Sequence, residues 1–381
     1  MIYLDNAATT FPKPPCVADE MSKCLKKYCG NPGRSSHKLS VLSSEKIYDT
    51  RVLLGEIFDA NPENVIFTYN TTYALNMAIK SNLKPSSHIL ISDIEHNSVL
   101  RPVHESSVCG ICSYDVFCTS GNSQDIISDI RSKIKKNTSM LVCAHVSNIG
   151  SRTLPIKEIG QLCSENGIFF IVDGAQSAGI KNISVKDMNI GALCLPAHKG
   201  LYGPQGVGVI IYGSENIGKT LIEGGTGINS LDAEMPDFLP ERYEAGTSST
   251  PCIVGLGASL KWLKSIGIDN IRRHEEHLYT ALLDLLSENT DITVYRMNDY
   301  AGNTLAFNIN GLSSATVAAE LDKRDICVRS GFHCSPMAHR VMKTGSGGAV
   351  RIGIGVFNKP ADIYALYEAL LDIIKNKRLV K

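Results

Sequence analysis

No charge of one sign dominates this chain. Its 38 Lys and Arg residues balance 38 Asp and Glu, so the formal net charge is zero. A nucleic acid or an anionic membrane as partner would leave a basic excess, and none is visible. No apolar run approaches the ~18 residues that a spanning helix needs. The opening "MIYLDNAATTFPKPP" lacks a basic stretch followed by an apolar one, so it does not read as a signal peptide. The 12 cysteines have no framework spacing, which fits reduced thiols in the cytoplasm better than disulfides. Repeats, low-complexity tracts and long linkers are missing too. What is present is 43% apolar residues over 381 positions, enough for a large core and suited to two domains.

The recurring unit is a strand followed by a helix. "NVIFTYN" precedes the helix-spaced "TYALNMAIKSN", and "SHILIS" precedes "SVLRPVHES". "TSMLVCAHV" precedes a helix from Pro155 to Asn166. "GIFFIVD" is apolar without alternation, as expected of a strand buried on both faces. "CLPAHKGLYGPQGVGVII" reads as strand, Gly-rich turn and strand. This α/β alternation predicts a mostly parallel sheet covered by helices, with ligands bound outside the carboxyl ends of its strands.

After about Ala258 the pattern changes. "SLKWLKSIGIDNIRRHEEHLYTALLDLLSEN" is helical, while "TLAFNI" and "ICVRS" read as strands of a smaller sheet. The last segment opens with Pro360 and carries an apolar stripe of Ile363, Leu366, Tyr367, Leu370, Leu371 and Ile374. The expected division is a segment 1–15 near the active site that packs with the small domain, a large domain 16–257, and a smaller α+β domain 258–381.

The chemistry-bearing residues fall just after the strands. Asp173 ends "FFIVD", where a turn or helix cap would want an Asp. It would equally suit the cationic ring nitrogen of pyridoxal phosphate, which needs a carboxylate partner to act as an electron sink. Lys199 has apolar sequence on both sides, and a desolvated lysine can hold an aldehyde as a Schiff base. Thr71 and Thr72 open a helix after a strand, where free N–H groups and hydroxyls make an anion site. His96 is placed to stack on a flat ring or move a proton. Cys334, in "VRSGFHCSPMAHR", lies on a loop near Arg329 and His333, a setting that favours a thiolate. Arg351 sits in an apolar strand and needs an anion, such as a substrate carboxylate. "CGIC" (Cys109 to Cys112) has no second pair to make a metal site, so no metal is expected. "GPQGVG" lacks the Lys-Ser/Thr ending of a phosphate loop and reads as a turn.

Taken together, these residues resemble the fold-type I pyridoxal phosphate enzymes of the class V aminotransferase superfamily, and within it the group II cysteine desulfurases, which include selenocysteine lyases. The motifs run in order: "YLDNAATT", "NTTYALN", "EHNS", "HVSN", "VDGAQSAG", "HKGLYGPQGVG", "RYEAGT", "RSGFHC" and "VRIGIGVFN". The resemblance implies Lys199 as the Schiff-base lysine, Asp173 on the pyridinium nitrogen, Gln176 on the ring hydroxyl and His96 stacked on the ring. It implies Thr71, Thr72 and His198 on the phosphate, joined by Thr247 from the other subunit of a homodimer. Asn148, beside the cofactor, and Arg351 would bind the substrate carboxylate. Cys334 would take sulfur from L-cysteine as a persulfide, leaving L-alanine, and pass it to an acceptor protein. Alternatives are L-selenocysteine as substrate, another class V reaction such as transamination, or a scaffold that delivers sulfur to one acceptor. Three positions depart from the family pattern: Pro196 replaces a frequent hydroxyl residue, Tyr73 a frequent Glu, and "SPMAHR" the usual continuation after the cysteine.

Overall fold

The structure, a computed structural model, describes residues 1–33, 36–214, 218–297 and 302–379. In chain order, the first half contains β1 (Ile2–Tyr3), α1 (Pro15–Lys27), α2 (Lys38–Phe58), β2 (Val65–Thr68), α3 (Thr71–Ser81), β3 (Ser87–Ser92), α4 (Asn97–Val108), β4 (Cys112–Phe117) and α5 (Ser123–Lys133). Next come β5 (Thr138–Ala144), α6 (Ile156–Glu165), β6 (Phe169–Asp173), β7 (Ala192–Pro196), β8 (Gly208–Tyr212), α7 (Thr250–Ile266) and α8 (Ile268–Ser287). The chain finishes with β9 (Ile292–Tyr295), β10 (Thr304–Ile309), α9 (Ser314–Asp322), β11 (Ile326–Cys327), β12 (Arg329–Gly331), α10 (Pro336–Met342), β13 (Ala349–Gly353) and α11 (Pro360–Leu379).

The large sheet has the order β2-β8-β7-β6-β5-β3-β4. It is mostly parallel, as the alternation predicts; β8 alone among its strands runs against its neighbours. Both faces are buried, which explains the unbroken apolar strands. The pleat sends Leu141, Phe170, Leu193 and Leu195 to one core, and Met140, Val142, Ile171, Ala192 and Cys194 to the other. Helices α3 and α4 cover the second face with Leu75, Met77, Val99 and Val103.

A four-stranded antiparallel sheet, β12-β13-β10-β9, stands on a further core that includes Leu278, Phe307, Val350, Leu366 and Leu370. The chain's first strand pairs there as well: β1 runs parallel to β11, and Asp5 bridges to Gly353. Two readings of the sequence are refined. The helical stretch after Ala258 is two helices, because Gly267 at φ 88° ends one and begins the other. "ICVRS" is two short strands in two different sheets. In the last helix Ile373 joins the buried stripe, while Leu371 is only half-buried.

Candidate active site

The turn that carries Lys199 is built backbone against backbone. A Cβ at Gly200 would overlap the Ala178 carbonyl oxygen, and one at Gly179, at φ 82°, would overlap the Gly200 carbonyl. Two glycines thus let the "HKG" turn lie directly on the "SAG" loop that follows Asp173. The N-terminal segment roofs the turn. Thr10 N–H donates to the His198 carbonyl at 3.0 Å, and Lys13 Nζ donates to the same oxygen at 2.7 Å. Lys199 is half-buried on the cavity wall, and desolvation pulls its amine down to about 8; Arg351 and Arg329 add to that fall, while Asp173 and Asp5 oppose it.

Beyond the turn lies a cavity of about 230 Å³ at the carboxyl ends of β2, β3, β5, β6 and β7. It brings together Thr71, Thr72, His96, Asn148, Asp173, Gln176, His198, Lys199, Cys334 and Arg351. Thr247 is not among them. It is exposed and lines a separate cleft with Phe67, Tyr69, Tyr73 and Tyr243.

One end of the cavity suits an anion. Asn70 caps α3, its Oδ1 accepting from Tyr73 N–H at 2.9 Å. Thr71 Oγ1 and His198 Nδ1 are buried with no partner. Thr72 Oγ1 lies 2.8 Å from Ser98 Oγ, and Ser98 N–H donates to His96 Nδ1 at 3.1 Å. That contact makes Nδ1 an acceptor, so His96 is neutral with its proton on Nε2. Burial, with Lys199 next, lowers this imidazole to about 4. Asp173 is buried, which raises its carboxyl. Its Oδ1 accepts from Ala175 N–H at 2.9 Å, so Asp173 holds the turn after β6 while its carboxylate lines the cavity. Gln176 Nε2 donates to the Ala7 carbonyl at 3.0 Å.

The other end is cationic. Arg329 and Arg351 are register partners on β12 and β13, and both line the cavity. Arg351 is buried. Its Nη2 meets Asp5 Oδ1 at 2.8 Å, Nη1 donates to the Asn148 carbonyl at 3.1 Å, and Nε has no partner. Asn148 holds the cysteine loop: Nδ2 donates to the His333 carbonyl at 2.9 Å, and Oδ1 accepts from Ser335 Oγ at 2.8 Å. Cys334 is exposed, and its carbonyl accepts from Asn97 N–H at 2.7 Å. Sequence reasoning gave no role to Asp5 and noted Arg329 only as charge near the cysteine. The need for an anion beside Arg351 was legible; its position 346 residues away was not.

A family model described as aminotransferase class-V matches residues 2–366. The chain belongs to the class-V aminotransferase family. Among curated relatives of this class-V aminotransferase, a probable cysteine desulfurase of Halalkalibacterium halodurans is 31% identical, covering 97% of this chain and 92% of its own. A probable cysteine desulfurase of Pyrococcus abyssi is 30% identical, over 99% of this chain and 95% of its own. Among solved structures, the apo cysteine desulfurase of Thermococcus onnurineus NA1 superposes with a TM-score of 0.90 at 30% identity, covering 98% of this chain and 95% of that one. Class-V aminotransferases generally depend on pyridoxal phosphate. Of the departures from the family pattern, Pro196 lines the same cavity and Tyr73 the Thr247 cleft.

Proposed function

We propose that this class-V aminotransferase is a pyridoxal phosphate-dependent cysteine desulfurase. The observation that carries the reading is one cavity holding a half-buried lysine, a buried carboxylate, a pair of arginines and an exposed cysteine. Transamination has no use for the cysteine. The residues fit the cofactor. Thr71 Oγ1 and His198 Nδ1 are partnerless polar atoms beside a helix N-terminus, which is what a phosphate would satisfy. Thr72 stands next to them.

Lys199, Asp173 and Gln176 would hold the cofactor there, and it would supply an electron sink for the bonds around the substrate's α-carbon. Everything else is the work of the chain. Arg351, with Arg329 opposite and Asn148 adjacent, orients the substrate carboxylate. Lys199, its amine lowered to about 8, is the group placed to take the α-proton, and the neutral imidazole of His96 would face the cofactor. The Cys334 thiolate attacks the substrate sulfur. The S–S bond forms as the C–S bond breaks, and the C–S electron pair stays with the carbon that becomes the methyl group of alanine. The persulfide is then available to a sulfur acceptor.

Purified holoenzyme given L-cysteine should yield alanine and a persulfide on the Cys334 peptide. Cys334→Ser should keep the cofactor and lose both products. Alanine formation by Cys334→Ser at the wild-type rate would sink the reading, and parallel assays with L-selenocysteine and common amino acids separate the rival activities.

The reading includes a homodimer in which Thr247 completes the phosphate site of the second copy. Its exposure and its absence from its own chain's cavity support this. In a mixed dimer of Lys199→Ala and Thr247→Val, one site carries both defects and one carries neither. Activity at low cofactor concentration should therefore reappear on mixing; without recovery in verified mixed dimers, Thr247 serves its own chain. The unpaired cysteines support work in a reducing compartment such as the cytoplasm.

A further inference from the structure

The cysteine loop is held in an unfavourable backbone conformation by a hydrogen-bonded pair of histidines. His333 and Cys334 both sit in the left-handed region, at φ 50° and 57°, just after Gly331 at φ 102°. Non-glycine residues there cost of order 1–3 kcal/mol each and persist only when their surroundings over-determine them. The surroundings here are specific. His333 Nε2 lies 3.3 Å from the Arg329 carbonyl, and its Nδ1 lies 3.2 Å from His339 Nε2. His339 Nδ1 lies 2.7 Å from Thr344 Oγ1. The two imidazoles are stacked, 10° from parallel, and both are buried.

The chain of contacts has one consistent proton order. A carbonyl can only accept, so His333 carries its proton on Nε2 and offers the Nδ1 lone pair. His339 must then donate from Nε2, accept at Nδ1, and take that last bond from the Thr344 hydroxyl. Burial keeps both rings neutral, lowering His333 to about 3 and His339 to about 4, and this proton order is the one two neutral rings allow. The clip ties β12 to α10 with Cys334 in the turn between them. From the loop after β5 and the start of α4, Asn148 and Asn97 pin the carbonyls of His333 and Cys334. His339 is remote from the reacting atoms, yet it settles where His333 stands and hence the turn that carries the thiol.

We propose that His339, backed by Thr344, is a positioning residue that acts through His333 to fix the Cys334 thiol for attack on the substrate sulfur. The inference rests on the desulfurase reading and adds to it a residue that touches neither substrate nor cofactor. It predicts a loss confined to the step that needs the thiol.

The test uses holoenzyme. In His339→Leu, alanine formation from L-cysteine should fall in kcat by about 10–100-fold, the loss expected of a small misplacement. KM should stay within about twofold, because Arg351, held by Asp5, still reads the carboxylate. Alkylation of Cys334 by iodoacetamide without substrate, followed on its peptide by mass, should become several-fold faster as the loop loosens. His339→Gln retains an N–H donor at the same reach and should restore both readouts most of the way. Unchanged kcat and alkylation in His339→Leu would overturn the proposal, as would a His339→Gln variant equally impaired. If His339→Leu does not fold, Thr344→Val carries the test: faster alkylation with unchanged cofactor content supports the clip, and an unchanged rate overturns it. If wild-type enzyme forms no persulfide, the desulfurase reading fails, while the alkylation contrast still reports whether the clip holds the thiol.

Discussion

Arg351 is the residue where need and supply are easiest to separate. Its apolar strand neighbours announce a buried guanidinium, and a buried guanidinium must meet an anion. Asp5 meets it at 2.8 Å, and Arg329 stands directly opposite on the neighbouring strand. Two facing arginines with one carboxylate leave the site short of negative charge, and a substrate carboxylate would supply the rest. The two members of this pair should therefore differ in what their removal does. Arg351→Leu should weaken substrate binding by roughly 2–5 kcal/mol, read as a raised KM for L-cysteine, with normal cofactor content. Asp5→Asn leaves the buried guanidinium facing Arg329 and should cost stability, about 1–3 kcal/mol in a denaturant titration, because Asp5 is partly exposed and its pair is worth less than a fully buried one. An unchanged KM in Arg351→Leu would mean that another group reads the carboxylate. Lys199, Asp173, His96 and Cys334 could be picked out at this scale because each stands just after a strand or on a Gly-containing loop. Asp5 could not, because its role depends on a partner at the far end of the chain.

At the scale of elements, the turn between β7 and β8 shows why the strands were easier to read than their junctions. "GIFFIVD" and "CLP" are buried on both faces, so their composition alone betrays them. The closeness of Gly179 and Gly200 is a contact between two loops, and no local pattern encodes it. Gly200→Ala should drive a methyl group into the Ala178 carbonyl. That backbone cannot swing aside like a side chain, so the Lys199 turn must lift, at a cost of roughly 1–3 kcal/mol or more. The expected outcome is a lower melting temperature together with less cofactor trapped on Lys199 by borohydride; full trapping at wild-type stability would show that the turn has slack. The same limit explains the two refined elements. Gly267 was visible inside a helical stretch, but its positive φ, and with it the division into two helices, depends on how α7 and α8 pack. Val328 separates two strands whose partners, β1 and β13, lie in different parts of the chain.

Across the whole molecule, burial has stripped the charge from several ionisable groups, and this sets the pH response of the cofactor-free protein. Burial holds five histidines neutral: His96, His198 and His339 fall to about 4, His145 and His333 to about 3. Each has a folded value below its unfolded one, so its contribution is complete above about pH 6.5 and is lost as the pH falls towards 4 and 3. Glu95 and Glu275 are shifted the other way, up to about 8 by burial. Their contribution is complete below about pH 4.5 and is lost as the pH rises towards 8. Between pH 4.5 and 6.5 the two sets oppose each other, and the histidines outnumber the carboxyls, so stability should climb. Above pH 6.5 the histidine gain is spent. The carboxyls then pull stability down, and the amines of Lys13 and Lys199, lowered to about 8, begin to offset them. The melting temperature should therefore rise steeply from pH 4.5 to 6.5 and pass a shallow maximum near pH 7. Calorimetry across pH 4.5–8 reads this directly, and a curve already falling from pH 5 would mean that the folded histidines titrate like free ones. One variant separates the two limbs. Glu275 is buried against Tyr202, whose hydroxyl lies 3.2 Å from Oε1. Glu275→Gln fixes that position in a neutral form at every pH. It should remove part of the decline above pH 6.5 and steepen the acid limb, where Glu275 opposes the histidines.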